Sequence, residues 1–201
     1  MADLLTVAHF QIHAGYLDRA AQHALLDPLR AVLRVAPLLS PVTPGGQPMS
    51  VRMTAAGRFG WLSDAGGYRY ADHHPNGRPW PAIPDAILSI WRDLVPWARA
   101  PECCLINLYG PGARMGLHQD SDEADMTQPV VSVSLGCDAR FRMGQAARTS
   151  PTQSIWLTSG DVVVMAGPAR HAFHGVDRIR PGSSTLLPGD QRLNLTLRVV
   201  T

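Results

Sequence analysis

Apolar positions early in the chain recur at helical spacing. Leu17, Ala20, Ala21, Ala24 and Leu25, then Leu29, Val32 and Leu33, fall near helical spacing with Arg and Asp between them. This predicts a helical lead-in as far as about Ala36, with Pro28 breaking or starting a helix inside it. Residues 40–48, dense in Pro and Gly, read as a loop. From Met49 the apolar residues come in short extended pieces: 49–55, 59–62 and, beyond the Gly66-Gly67 turn, 68–70. A Pro-rich loop at 75–84 holds Trp80. Residues 85–95 then predict a helix, with Ile87, Ile90, Trp91 and Leu94 on one face and Asp85 as its cap. The second half alternates with a period of two. Val131, Val133 and Leu135 interleave with Ser132 and Ser134, and strands are predicted at 103–109, 114–117, 139–143, 154–157, 160–165 and 192–199. Closely spaced strands separated by Gly turns predict a sandwich or barrel. There is no internal repeat and no low-complexity segment.

Composition narrows the chemistry. In 201 residues, 45% hydrophobic content with 17% charged content fits one globular domain with a sizeable core. All 18 basic residues are Arg. Mechanisms that need an ammonium group, such as a phosphate-loop lysine, a Schiff base or a lysine nucleophile, are thereby excluded. Anion binding falls to the planar guanidinium fork. A net charge of +2 requires any nucleic-acid surface to be local. Arg52, Arg58, Arg69, Arg140 and Arg142 are candidates for such a track. Three cysteines, Cys103, Cys104 and Cys137, make a poor disulfide framework and read as buried small hydrophobes in a reducing cytoplasm. No signal peptide and no run of eighteen apolar residues is evident. Trp80, Trp91 and Trp97 read as packing residues, and His73 and His74 as exposed.

Two clusters carry candidate chemistry. His118 and Asp120 are two apart after a strand-like run, so an imidazole and a carboxylate share one side. A third ligand downstream, His171 or His174, completes a two-His-one-carboxylate facial triad of the non-haem Fe(II) type. His174 is favoured because Gly175 permits close approach. The competing reading is a surface histidine beside the solvated acidic run of Asp120, Asp122, Glu123 and Asp125. On 192–198, Arg192, Asn194, Thr196 and Arg198 share one strand face, which suits a dicarboxylate beside a metal or, equally, solvent. Asn107 and Tyr109 share a face in the same way.

Four blocks together resemble the AlkB alkylation-repair dioxygenases. They are Thr43-Pro-Gly-Gly46 with Met49-Ser50-Val51, Cys104-Leu-Ile-Asn-Leu-Tyr109-Gly-Pro-Gly112, Leu117-His-Gln-Asp120 followed by Asp122-Glu123, and Arg192-Leu-Asn-Leu-Thr-Leu-Arg198. The resemblance runs from about residue 40 to the C-terminus. It departs at Leu193, where an aromatic residue is expected, and at Leu108, where a basic one is. It implies a mostly β, α+β fold with a double-stranded β-helix (jelly-roll, cupin-like) core. It implies one dioxygenase domain over 1–201, divided into an N-terminal extension (1–40), a nucleotide-recognition lid with a supporting helix (about 41–100) and the catalytic core (about 101–201).

The implied cofactors are Fe(II), the cosubstrate 2-oxoglutarate and O2. His118, Asp120 and His174 are the implied metal ligands and catalytic residues. Asn107, Leu108, Tyr109, Arg192, Asn194, Thr196 and Arg198 would surround 2-oxoglutarate, with Arg198 on its distal carboxylate. Met53, Trp61, Tyr68, Arg69, Tyr70, Asp122 and Arg148 would form the substrate pocket. The implied reaction removes N-methyl groups from bases such as 1-methyladenine and 3-methylcytosine in DNA, preferentially single-stranded, with RNA as a further substrate. Succinate, carbon dioxide and formaldehyde are the other products. Such a base must leave its stack to be reached. When methylated on the ring it is cationic, which suits the faces of Trp61 and Tyr68 and the carboxylate of Asp122. The implied protein is a monomer with no obligate protein partner. Alternatives are a hydroxylase of the same fold acting on a protein or small molecule, a non-catalytic nucleic-acid-binding module, and a cupin-like binder with a structural metal.

Overall fold

A computed structural model describes residues 3–201 of the chain. Strands β1 (Asp3–Val7) and β2 (Phe10–Ala14) lead into helix α1 (Arg19–Val35). Strands β3 (Val51–Gly57), β4 (Gly60–Asp64) and β5 (Gly67–Ala71) precede helix α2 (Asp85–Leu94). The remainder is β6 (Cys103–Tyr109), β7 (Met115–His118), β8 (Val130–Gly136), β9 (Ala139–Met143), β10 (Gln153–Leu157), β11 (Val162–Met165), β12 (His174–Ile179) and β13 (Arg192–Arg198), with a short 3-10 turn at Gly167–His171.

The strands form a seven-stranded sheet in the order β1-β2-β11-β8-β13-β6-β3, a four-stranded sheet β10-β9-β12-β7, and the hairpin β4-β5. Strand alternation sorts the residues of β13 into two worlds. Leu193, Leu195 and Leu197 share one apolar cluster with Leu25, Leu29 and Val32 of α1 and Ile87, Ile90 and Trp91 of α2. Both helices therefore cover the outer face of the large sheet. Full burial of a leucine such as Leu195 contributes about 1.5–3 kcal/mol. The opposite face of β13 carries Arg192, Asn194, Thr196 and Arg198, and it turns inward, where Arg192 is only 1% exposed. A polar strand face that suits solvent equally well thus lines the interior. The small sheet closes the other side. Its Phe141 meets Phe10 of the large sheet edge-on, with ring centroids 5.8 Å apart.

The described residues correct the helical lead-in, since residues 3–14 form a β-hairpin and not helix. Buried Phe10 and Ile12 flank exposed Gln11, and β2 pairs with β11 to extend the large sheet. Helix α1 begins only at Arg19, where the Asp18 carboxylate accepts the Ala21 N–H at 2.8 Å. It runs through Pro28 unbroken, with the burial of Leu25, Leu26, Leu29 and Val32 offsetting the lost hydrogen bond. Helix α2 is capped at Pro84 with no side-chain bond, and Asp85 sits in its first turn, where a negative charge favours the dipole.

Trp97 is 62% exposed and so is not a packing residue, unlike Trp80 and Trp91. His74 is buried: its ring bridges Pro37 O and the Asn76 N–H, edge-on to Trp80. All three thiols are buried and free, and burial pushes the Cys103 thiol up to about 12.

Candidate active site

Strands β7 and β12 pair antiparallel, with His118 directly opposite His174. This close pairing depends on Gly175, where a Cβ would lie 2.6 Å from Met115 O. The ring centroids of His118 and His174 are 4.6 Å apart. Asp120, two residues past His118, completes a cluster whose ligand atoms all lie within 4.8 Å of one another. His118 Nε2 is 3.7 Å from Asp120 Oδ1, and His174 Nε2 is 3.8 Å from Asp120 Oδ2.

The cluster fits a divalent metal. Nδ1 of each imidazole faces a carbonyl two residues earlier, Gly116 O at 2.9 Å for His118 and Ala172 O at 3.1 Å for His174. That contact places the proton on Nδ1 and aims the Nε2 lone pair inward. Asp120 Oδ2 is buried without a hydrogen-bond partner among the described residues. Burial lowers His174 to about 4, against the pull of Asp120, so its ring is neutral at physiological pH. Burial opposes ionisation of Asp120, but Arg198, His174, His118 and Arg170 outweigh it and hold the carboxyl well below the usual range. Two imidazole nitrogens and one carboxylate oxygen are the donor set of a non-haem iron site.

A buried ionic network holds Asp120 in place. Arg198 Nη2 donates to Asp120 Oδ1 at 2.7 Å, and Arg198 Nη1 reaches Tyr70 at 3.2 Å and lies 3.6 Å from Glu123. Glu123 also pairs with Arg170 at 2.7 Å and accepts the Tyr70 hydroxyl. Arg170 in turn donates to the Asp120 carbonyl. Sequence reasoning gave Glu123 and Arg170 no role. The available signals for Glu123 were its place in the acidic run and beside Asp120 in the block that carries the resemblance, and Arg170 offered none.

A cavity of about 290 Å³ opens beside the cluster. Asn107, Tyr109, Arg192, Asn194, Thr196 and Arg198 line it, joined by Ser132, Phe141, Leu157 and Met165, which the sequence reading omitted. Leu108, expected near the cosubstrate, is a correction. Alternation along β6 turns it to the opposite face, against the cluster under the helices. Arg198, expected at the distal carboxylate, lines the cavity with its charge already shared between Asp120 and Glu123 at the metal end. Arg192, at the far end of β13, meets no carboxylate within 4.0 Å among the described residues. It donates to Cys137 O at 3.0 Å and Ser134 Oγ at 2.6 Å, and its buried Nε is left free. Burial lowers Arg192 to about 10, which leaves it charged.

Met53, Trp61, Tyr68 and Asp122 line the same cavity. Trp61 stacks on Tyr68 at 5.4 Å and donates its indole N–H to Asp122 Oδ2 at 2.7 Å. Three expected substrate contacts lie outside the lining. Arg69 pairs with Asp64 across the β4-β5 hairpin, Tyr70 belongs to the buried network, and Arg148 lies over Phe173 on the rim. His171 is exposed outside the cluster, and its carbonyl accepts from Gln119.

Comparison with known proteins agrees with this geometry. Residues 9–198 match the family model described as the 2OG-Fe(II) oxygenase superfamily. The chain is 55% identical over 196 residues to an alpha-ketoglutarate-dependent dioxygenase AlkB homolog of Caulobacter vibrioides, covering 97% of this chain and 89% of that one. It is 42% identical over 106 residues to the DNA N(6)-methyladenine demethylase ALKBH1A of Arabidopsis thaliana, covering 50% of this chain and 31% of that one. The solved structure titled "The structure of OsALKBH1" superposes with a TM-score of 0.79 at 28% identity, covering 98% of this chain and 100% of that one.

Proposed function

The chain belongs to the 2OG-Fe(II) oxygenase superfamily as an AlkB-type dioxygenase, and from that premise we propose that it oxidatively demethylates alkylated bases in nucleic acid, with ring-methylated cationic bases of the 1-methyladenine and 3-methylcytosine type as substrates and single strands preferred. Fe(II), with 2-oxoglutarate and O2, supplies the oxidation: the keto acid becomes succinate and carbon dioxide, and the N-methyl group is hydroxylated and released as formaldehyde. His118, Asp120 and His174 would hold the metal. Arg192, with Tyr109 and Asn107 beside it, would take the distal carboxylate of the keto acid, because that guanidinium alone in the slot lacks an acidic partner. Arg198 keeps Asp120 ionised and oriented. The Trp61-Tyr68 pair on the β4-β5 hairpin presents aromatic faces to a flipped base. Asp122, fixed by Trp61, supplies a negative charge that favours a cationic base over a normal one.

The carrying observation is the convergence of His118, Asp120 and His174 at one end of a guanidinium-lined slot. Free buried thiols support a reducing cytoplasm. No described helix is long and apolar enough to cross a membrane.

Protein supplied with Fe(II), ascorbate, 2-oxoglutarate, O2 and a methylated oligonucleotide is expected to release formaldehyde and restore the base. Succinate without formaldehyde would point to a different substrate. His174→Ala is expected to lose metal affinity and turnover by more than about 100-fold.

A further inference from the structure

The helices cover only the large sheet, so the outer face of the small sheet is bare. Alternation on β9 and β10 sends Phe141 and Leu157 into the cavity and turns Arg140, Arg142 and Trp156 outward. Trp156 is the cross-strand partner of Arg140, and Arg140 that of Arg178. Trp156 carries two guanidinium groups on its ring, Arg180 at 3.9 Å and Arg178 at 5.5 Å. Four arginines thus share one small face. Asp177, 3.8 Å from Arg140, and Asp138, 3.1 Å from Arg180, are the carboxylates that reach it. Among the described residues, Arg142 and Arg178 meet none.

Like charges directly across a strand pair destabilise a sheet, and the rest of the chain is nearly balanced in charge. Arg140 opposite Arg178 is therefore a cost that Asp177 and the Trp156 ring offset only in part. Along β9, Arg140 and Arg142 stand about 7 Å apart, comparable to neighbouring phosphates on an extended strand. Trp156 holds Arg178 and Arg180 flat, and the hydroxyls of Ser154 and Thr152 fix Arg140 at 3.1 Å and Arg142 at 3.2 Å.

The face also adjoins the mouth of the active site. The β9-β10 loop begins right after Met143, bonds Phe173 through Gly144 N–H and Gln145 O, and carries Arg148 over the Phe173 ring. Phe173 directly precedes His174.

We propose that this arginine face binds the phosphate backbone of the polynucleotide strand running away from the reacting base. The proposal rests on the nucleic-acid reading above and adds to it a second anchoring surface, outside the base pocket.

The test uses an Arg140→Ser/Arg142→Ser/Arg178→Ser variant of the whole chain. Its binding of a methylated strand of about 25 nucleotides, measured by fluorescence anisotropy across a salt series, is compared with turnover of a methylated trinucleotide. Long-strand affinity is expected to fall about tenfold or more at low salt. The slope of log affinity against log salt is expected to shrink by about 2, at about 0.7 per lost single-strand phosphate contact. Trinucleotide turnover should stay within about twofold of wild type. The corresponding triple Arg→Lys variant keeps the charge and is expected to recover most of the slope. Unchanged affinity and slope for the long strand would overturn the proposal, as would parallel loss on both substrates. Failure of the unaltered protein to convert either substrate would instead defeat the demethylase reading, while the salt slope still reports on this face.

Discussion

Arg192 and Arg198 lie on the same face of one strand and differ in the company they keep. Arg198 is fixed between two buried carboxylates, whereas Arg192 is bonded to carbonyls and a hydroxyl. Their losses should therefore read differently. Arg192→Ala is expected to weaken 2-oxoglutarate binding by about tenfold or more while leaving Mn(II) binding near normal, since a charge-assisted contact contributes about 1.5–3 kcal/mol. Arg198→Ala leaves Asp120 and Glu123 without their counter-charge, and is expected to destabilise the fold by about 3–5 kcal/mol and to impair metal binding. Cosubstrate titration, metal titration and thermal unfolding of both variants check this. The reverse pattern would return the distal carboxylate to Arg198. Residue spacing alone made His118, Asp120 and the polar face of 192–198 legible. It could not say which arginine stood free, because the partner that neutralises Arg198 is supplied by a loop, and Arg170 by a 3-10 turn, with no local pattern to announce either.

At the level of elements, strand ends are tied by a single carboxylate. Glu102, just before β6, accepts the backbone N–H groups of Val200 at 3.0 Å and Thr201 at 2.7 Å beyond β13, and pairs with Arg58 at 3.1 Å in the β3-β4 turn. Burial opposes its ionisation, but the bonds from Thr201, Val200 and Arg58 prevail and lower its pKa. A carboxyl depressed on folding gives stability that is complete above its unfolded value of about 4.3 and is lost as pH falls through the folded value. Glu102→Gln is therefore expected to cost about 1–3 kcal/mol near neutral pH. That difference from wild type should narrow below about pH 4.3 in urea melts; a gap independent of pH would show that shape, and not charge, ties these ends. Strands with a period of two, β8 and β13, were legible, as was the apolar run of β6. The β1-β2 hairpin was not, because Leu4 and Leu5 are both exposed neighbours at the sheet edge and blur the alternation.

Taken as a whole molecule, the chain is asymmetric in its layers. One sheet has helices on its back, the other faces outward with arginine, and the reactive cavity lies between them. That layering follows from the leucines of β13 and the amphipathic helices, so its outline could be read from the sequence. The bare arginine face could not, because Arg178 reaches Arg140 only through the β9-β12 pairing and its irregular register, and Arg180 reaches Trp156 from just beyond β12. The same layering bears on survival in the presence of the reaction's own product. Formaldehyde attacks primary amines and thiols and then bridges them. Here every side-chain cation is a guanidinium, and all three sulfhydryls are sealed inside. The protein should thus retain its activity through repeated turnover or added aldehyde, as followed by residual rate and denaturing gels. An Arg140→Lys/Arg178→Lys surface would introduce the missing amines and become prone to cross-linking. Equal sensitivity of the two would mean that the lack of lysine gives no chemical protection to a catalyst that continually generates an electrophile.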